Sequence, residues 1–415
     1  MSEKDIMPFD FEKASKKQII KVIGVGGGGG NAVKNMFREG IHDVAFALCN
    51  TDAQALAESE IPTKVQLGRS GLGAGNNPPK ATEEAEESIE SIKALFSDET
   101  KMVFITAGMG GGTGTGASPV IAREAQAAGM LTVGVVTIPF RFEQRPKILQ
   151  ALKGVKEISE HVDALLVINN ERLFKVYPEM DVNTGFAKAN EILTVAVKSI
   201  AELITVRGTI NLDFRDVEKV LKNGGVAVMS YGFGRGEHRL TAAINEALHS
   251  PLLNDNDVYN SRKILFNIYQ SKAHPLLMSE MEELDQFMDE FRNKDIEVIW
   301  GIADDENLDE DVKITILATG FGISNIPGME KGIGGRPAAP AAASHGETAT
   351  VPQAESAPKA STDDELITQN YGEAFSTFIF EEKDLDNDQL IAAVASSPTY
   401  SRKAPDLKTL ETLRS

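Results

Sequence analysis

Short apolar runs alternate with amphipathic stretches along most of the chain. QIIKVIGV (18–25), VAFALCN (44–50), MVFITA (102–107), LTVGVVTI (131–138) and DALLVIN (163–169) are nearly continuous and rich in β-branched residues. That is the pattern of strands covered on both faces. Between them, helical spacing marks 30–39, 80–97, 117–129 and 143–160. The alternation predicts βαβ units, a parallel sheet and helices on both sides of it. A longer helical pattern spans 183–206, with Ile192, Val195, Val197, Ile200, Leu203 and Ile204 on its apolar face. Beyond it, GVAVMSYG (225–232), RKILFNIY (262–269), DIEVIWGIA (295–303) and VKITILATGF (312–321) predict further strands. Helices near 214–222, 239–249 and 278–292 complete a second α/β domain.

Domain limits follow from where the pattern changes. Residues 1–17 are polar and predict a mobile arm; 18–182 form the first α/β domain, 183–208 the bridging helix and 209–325 the second domain. Residues 326–403 are rich in Ala, Pro, Gly, Ser and Thr. They hold too little apolar surface to offset the entropy of ordering, which predicts a disordered linker. A small apolar island (Phe375, Phe378, Ile379, Phe380) interrupts the tail, and a terminal peptide, 404–415, places Leu407, Leu410 and Leu413 at helical spacing.

Composition removes several classes of function. The 415 residues carry 42 Lys and Arg against 61 Asp and Glu, a net charge of −19. That argues against a broad nucleic-acid surface, though not against an anion site made of backbone N–H groups. The single cysteine, Cys49, forbids an intrachain disulfide and a multi-cysteine metal site. No signal peptide and no membrane-length apolar run is present, so a soluble, cytoplasmic protein is expected. The six histidines show no H-x-x-x-H pair, and Glu246 with His249 reads as a helix-surface contact rather than a zinc site.

The candidate chemistry lies in glycine. The first strand runs into GVGGGGGN (24–31), where Gly24, Gly26 and Gly29 match G-x-G-x-x-G. This leaves a dinucleotide-dependent oxidoreductase open, with Asp52 as a ribose-binding acid. MVFITA is followed by GMGGGTGTGAS (108–118) and a helix. Its glycines expose consecutive N–H groups, Thr113 and Thr115 add hydroxyls, and the helix dipole favours negative charge. The result is a phosphate cradle, but not a Walker A loop, because no lysine follows. A third glycine loop, GRSGLGAGNNP (68–78), is placed to close over the same ligand.

Gly26–Asn31, Gly110–Gly116, PFRFE (139–143) and NLDFRDV (211–217) resemble, in order, the motifs of the FtsZ family, the bacterial relatives of tubulin. The resemblance implies a Rossmann-like GTP-binding domain, a central helix, a C-terminal domain and a disordered tail. It implies hydrolysis of GTP to GDP with Mg²⁺, and head-to-tail filaments that form the septal ring in bacterial division. A tubulin-like filament with a role outside division is the alternative. Gly27, Gly28, Gly29, Gly30 and Asn31 would line the nucleotide. Gly110, Gly111, Gly112, Thr113, Gly114, Thr115 and Gly116 would hold its phosphates, with Gly75 and Asn76 near the γ-phosphate. Glu143 would contact the ribose, Asn190 would recognise guanine and Phe186 would stack on it. Partners would be further copies of the chain and, through the tail, membrane-tether and division-regulator proteins.

Asp213 and Asp216 are spaced as a helix cap and its first-turn partner. The resemblance gives this loop a second duty, insertion into the nucleotide site of the next subunit. Asn211, Asp213 and Asp216 would then be catalytic, the carboxylates positioning water. The chain departs from the family pattern at Lys147, which stands where an arginine is usual and would take its contact to the nucleotide, with Arg145 two residues earlier as the other candidate. It departs again at Arg207 and Arg215, and in the tail, where Ala404–Leu407 replaces the usual terminal peptide.

Overall fold

The computed structural model describes residues 18–322 except 42, 178, 207, 251–257 and 293–295, together with Asn387 and Gln389. The chain divides into two units, Met1–Gly322 and Ile323–Ser415, and the fold below is that of the first. The expectations for the arm, the linker and the terminal peptide fall outside the described residues, save those two positions.

The first half alternates β1 (Ile20–Val25), α1 (Gly26–Arg38), β2 (Val44–Asn50), α2 (Ala53–Ala57), β3 (Thr63–Gln66), α3 (Pro78–Glu87), α4 (Ile89–Ala94), β4 (Met102–Gly108) and α5 (Gly112–Ala127). It continues with β5 (Leu131–Ile138), α6 (Arg145–Ser159), β6 (Ala164–Asn169) and α7 (Glu171–Val176). The long helix α8 (Val182–Thr205) leads to β7 (Gly208–Ile210), α9 (Phe214–Leu221), β8 (Gly225–Gly234) and α10 (Arg239–Leu248). β9 (Lys263–Gln270), α11 (Met281–Arg292), β10 (Glu297–Asp304) and β11 (Val312–Phe321) complete it.

All eleven strands form one sheet, in the order β3-β2-β1-β4-β5-β6-β8-β11-β9-β10-β7. From β3 to β8 neighbouring strands are parallel. The halves meet at a short seam, Ala164↔Gly225 to Leu166↔Ala227. Beyond it β11 is antiparallel to both β8 and β9. β1 lies between β2 and β4, so the strand order reverses direction there, which is where ligands bind in open α/β sheets.

One core serves both halves. Ile20 and Val22 of β1, Phe104 of β4 and Val133 of β5 pack with Leu193, Val197 and Ile200 of α8. The same cluster continues through Val217 and Leu221 of α9 to Leu265 of β9 and Leu317 of β11. The apolar face of α8 is therefore the common wall of the two halves.

Several boundaries differ from the expectation. Helices α1 and α5 begin inside the glycine runs, at Gly26 and Gly112, so much of each predicted loop is the first turn of a helix. The stretch 80–97 is two helices, broken at Ser88, whose Oγ donates back to Glu84 O and accepts from Gly68 N–H. The edge strand β3 was not anticipated, because only one of its four residues is buried.

Candidate nucleotide site

An open cleft lies at the C-terminal ends of the central strands, where ligands bind in open α/β sheets. Gly28 of α1, Gly110 and Gly111 before α5, Glu143, Lys147 of α6, and Phe186 and Asn190 of α8 line it. Seven of the predicted nucleotide contacts thus meet in one place. They come from elements far apart in sequence that the parallel sheet brings to one edge.

The two glycine runs are pressed together behind this wall. Gly26 has φ +69°, and a Cβ there would meet Gly114 N at 2.9 Å. A Cβ on Gly29 would lie 2.1 Å from Thr106 O, and one on Gly114 would lie 2.6 Å from Gly108 O. These glycines let two helix N-termini approach the sheet and each other. Gly27 and Gly111 face open space instead, with nothing within 4 Å of a built Cβ. Unpaired N–H groups at converging helix starts form an anion-binding surface.

The threonines of the cradle divide in the same way. Thr113 Oγ1 shares a hydrogen bond with Thr51 Oγ1 at 2.7 Å. Thr115 is turned inward, 2% exposed, and its Oγ1 accepts from Gly110 N–H at 2.8 Å. It shapes the loop rather than facing the cleft, because Gly154 packs against its methyl group. Gly116 is likewise structural, since a Cβ there would be 2.1 Å from Pro78 O. Gly112 packs against Ala74, Asn76 and Asn77, which seats the third glycine loop, with Gly75 and Asn76, over the start of α5.

At the other end of the cleft, Phe186 meets Phe140 and Phe142 edge-on, with ring centroids 5.2 and 6.2 Å away. Glu143 Oε1 accepts from Phe140 N–H at 2.9 Å, and Glu143 Oε2 pairs with Lys147 Nζ at 3.3 Å. Lys147 lines the cleft and Arg145 does not. Asn35 of α1 donates to Thr194 of α8 at 3.2 Å. Asn31 and Asn190 lie one helical turn nearer the cleft on the same two helices. Gly30 is buried and touches Leu48, so it belongs to the packing of α1.

Asn170 at the cleft and Gln150 behind the cradle are among the residues not predicted. Asn170 lines the cleft at 4% exposure, and its Oδ1 has no partner among the described residues. Its place just past the C-terminal end of β6 was a usable signal. Gln150 of α6 donates to Gly110 O and Gly111 O at 3.0 and 3.2 Å, fixing the cradle's shape. Asp52, the acid of the dinucleotide alternative, is the N-cap of α2, accepting from Gln54 and Ala55 N–H.

The predicted catalytic residues lie elsewhere, at the start of α9, and none of them lines this cleft. Asp213 Oδ1 accepts from Arg215 and Asp216 N–H, and Asp216 Oδ2 accepts from Asp213 N–H. That is a complete capping box. Asn211 Oδ1 accepts from Gly208 N–H at 2.7 Å. Arg215 pairs with Glu218 at 2.6 Å.

Residues 19–178 match the family model for the Tubulin/FtsZ GTPase domain, and 225–322 that for the FtsZ C-terminal domain. The cell division protein FtsZ of Porphyromonas gingivalis is 46% identical, over 99% of this chain and 91% of that protein. The chain belongs to the FtsZ family. A second FtsZ C-terminal model matches 374–415, taking in both the apolar island and the terminal peptide. FtsZ of Wigglesworthia glossinidia brevipalpis is 42% identical over 78% of this chain and 84% of its own. Among solved structures, an empty FtsZ dimer from M. jannaschii is 40% identical, with a TM-score of 0.67 over 73% of this chain and 88% of that one. A Haloferax volcanii CetZ2 protofilament with GTPγS shares the fold at 18% identity and a TM-score of 0.61, covering 73% of this chain and 94% of its own. The FtsZ fold, with its GTPase half, central helix and second α/β half, is that of the expectation; the single sheet that runs through both halves goes beyond it.

Proposed function

We propose that this chain is the filament-forming GTPase of bacterial cell division, hydrolysing GTP to GDP and phosphate at a site that two copies share. The observation that carries the reading is the separation of the two parts. The cleft has donors, an aromatic wall and amide recognition groups, but no carboxylate except Glu143, which is held by Phe140 N–H and Lys147. The acids of α9 lie outside it.

Phe186 stacks on the base, and Asn31, Asn190 and Asn170 offer amides to its edge. Glu143 holds the ribose, with Lys147 beside it as a point charge. The N–H groups of Gly27, Gly28, Gly111 and Gly112, with the Thr113 hydroxyl, hold the phosphates. Among the described residues no group of three or more His, Cys, Asp or Glu could hold a metal ion. Mg²⁺ is accordingly proposed to ride on phosphate oxygens and water, neutralising charge there. In the capping box each carboxylate of α9 uses one oxygen. The other oxygens of Asp213 and Asp216 orient the attacking water in the next subunit's cleft, while Asn211 holds the loop. A head-to-tail contact of this kind does not close, so it builds filaments. The tail from 374 is proposed to dock membrane tethers and division regulators, which place the filament at the division site.

Phosphate release per chain, measured against protein concentration with light scattering alongside, tests the reading. Activity should rise sharply above a threshold, and Asp213→Asn should bind GTP yet hydrolyse at least tenfold more slowly. Flat activity per chain would mean that one copy completes its own site.

A further inference from the structure

The cradle after β4 contains glycines and threonines but no cation, and the one lysine lining the cleft, Lys147, is paired with Glu143. A triphosphate brings one more charged group to that start than a diphosphate does. A different element carries an ammonium there. Helix α3 packs its first turn on α5: Thr82 Oγ1 donates to Gly116 O at 3.0 Å, and Gly116 lies against Pro78. Lys80 is in that turn, its side chain 45% exposed. Helical side chains lean toward the N-terminus, which aims Lys80 at the glycine loop and the cradle. Its Nζ donates to Gly73 O at 3.3 Å and pairs with Glu84 Oε1 at 3.7 Å. Gly73 N–H in turn donates to Thr51 O, and Thr51 Oγ1 touches Thr113 of the cradle.

We propose that Lys80 reads the terminal phosphate of a bound triphosphate, and so sets the preference for GTP over GDP. This rests on the guanine-nucleotide reading of the cleft. Both present contacts of the ammonium are long, at 3.3 and 3.7 Å, and the Lys80 side chain is about half exposed, so they hold it weakly. An ammonium has three protons, and it can add a phosphate oxygen while Glu84 keeps it at the loop. The move would pull on Gly73, and through it on the loop over α5. Lys80 thus supplies, from α3, the charge that a Walker lysine supplies from the phosphate loop itself.

The test is equilibrium binding of GDP and of a non-hydrolysable GTP analogue to the full chain below its assembly threshold. Lys80→Met should weaken the analogue at least fivefold and leave GDP within twofold. Lys80→Arg should keep both within twofold, and added salt should narrow the gap between Lys80→Met and wild type. Equal effects on both ligands, or no effect on either, would overturn the role of Lys80. If wild type binds neither nucleotide, the reading of the cleft fails and this inference with it.

Discussion

Gly27 and Gly29 share one helical turn and answer to different constraints. A methyl group on Gly29 collides with Thr106 O, whereas one on Gly27 meets nothing within 4 Å. Gly29→Ala should therefore lower stability by about 2 kcal/mol, the scale of overpacking. Gly27→Ala should leave stability within about 0.5 kcal/mol, because nothing in the fold opposes it, and instead weaken nucleotide binding. Urea unfolding beside nucleotide titration separates the two. Cys49 ends β2 fully buried, and burial pushes its thiol up to about 12. A thiol reagent at pH 8 should label it only after unfolding. The folded value lies above the unfolded one of about 8.5, so this group's contribution is intact below that pH and lost as pH rises toward 12. Cys49→Ala should flatten the alkaline loss of stability.

Helix α9 combines a capping duty with the catalytic one proposed for it. Its capping box satisfies backbone donors within the chain, so alanine at Asp213 should cost about 1 kcal/mol. Asparagine caps nearly as well as aspartate, so Asp213→Asn should keep stability within about 0.5 kcal/mol while losing turnover. If Asp213→Asn retains full activity in assembled protein, the carboxylate is a cap and nothing more. Helix α10 offers a pH-dependent counterpart. His238 precedes it at φ +60° and bonds Glu283 of α11 at 2.8 Å, which raises the imidazole above its ordinary value. That link is fully present below about pH 6.5 and lost as pH climbs through the raised value. His238→Asn should thus destabilise more at pH 5.5 than at pH 8.5 in thermal melts.

At the scale of the whole molecule, the seam between β6 and β8 joins the nucleotide half to the half bearing α9. Asp163 stands at its start, 3% exposed. Its carboxylate accepts from Thr132 N–H at 3.0 Å and pairs with Lys222, the C-cap of α9, at 3.2 Å. Asp163→Ala leaves a buried N–H unpaired and should cost about 2 kcal/mol in urea unfolding. Because Lys222 ends the helix proposed to carry the catalytic carboxylates, the same change should lower turnover per assembled chain more than it lowers nucleotide affinity.

The sequence by itself determined the buried strands. β2 and β5 fall on 44–50 and 131–138 as expected, because strands covered on both faces must be apolar throughout, and that pattern is local. It also determined α8, whose apolar face repeats at helical spacing for 24 residues. The glycine runs mark a candidate phosphate site, and the family resemblance names the residues proposed for it. Tertiary structure alone decided what no local pattern carries. The strands β3 and β7 hold too few buried residues to signal themselves, and their partners are supplied by distant segments. Asn170 and Gln150 are ordinary polar residues until the sheet turns them toward the cradle. Gly27 and Gly29 are identical in the sequence, and only packing separates the one that faces the cleft from the one that seats the helix. The carboxylates of α9 satisfy their own helix and lie outside their own cleft, a separation fixed by where the second half joins the sheet.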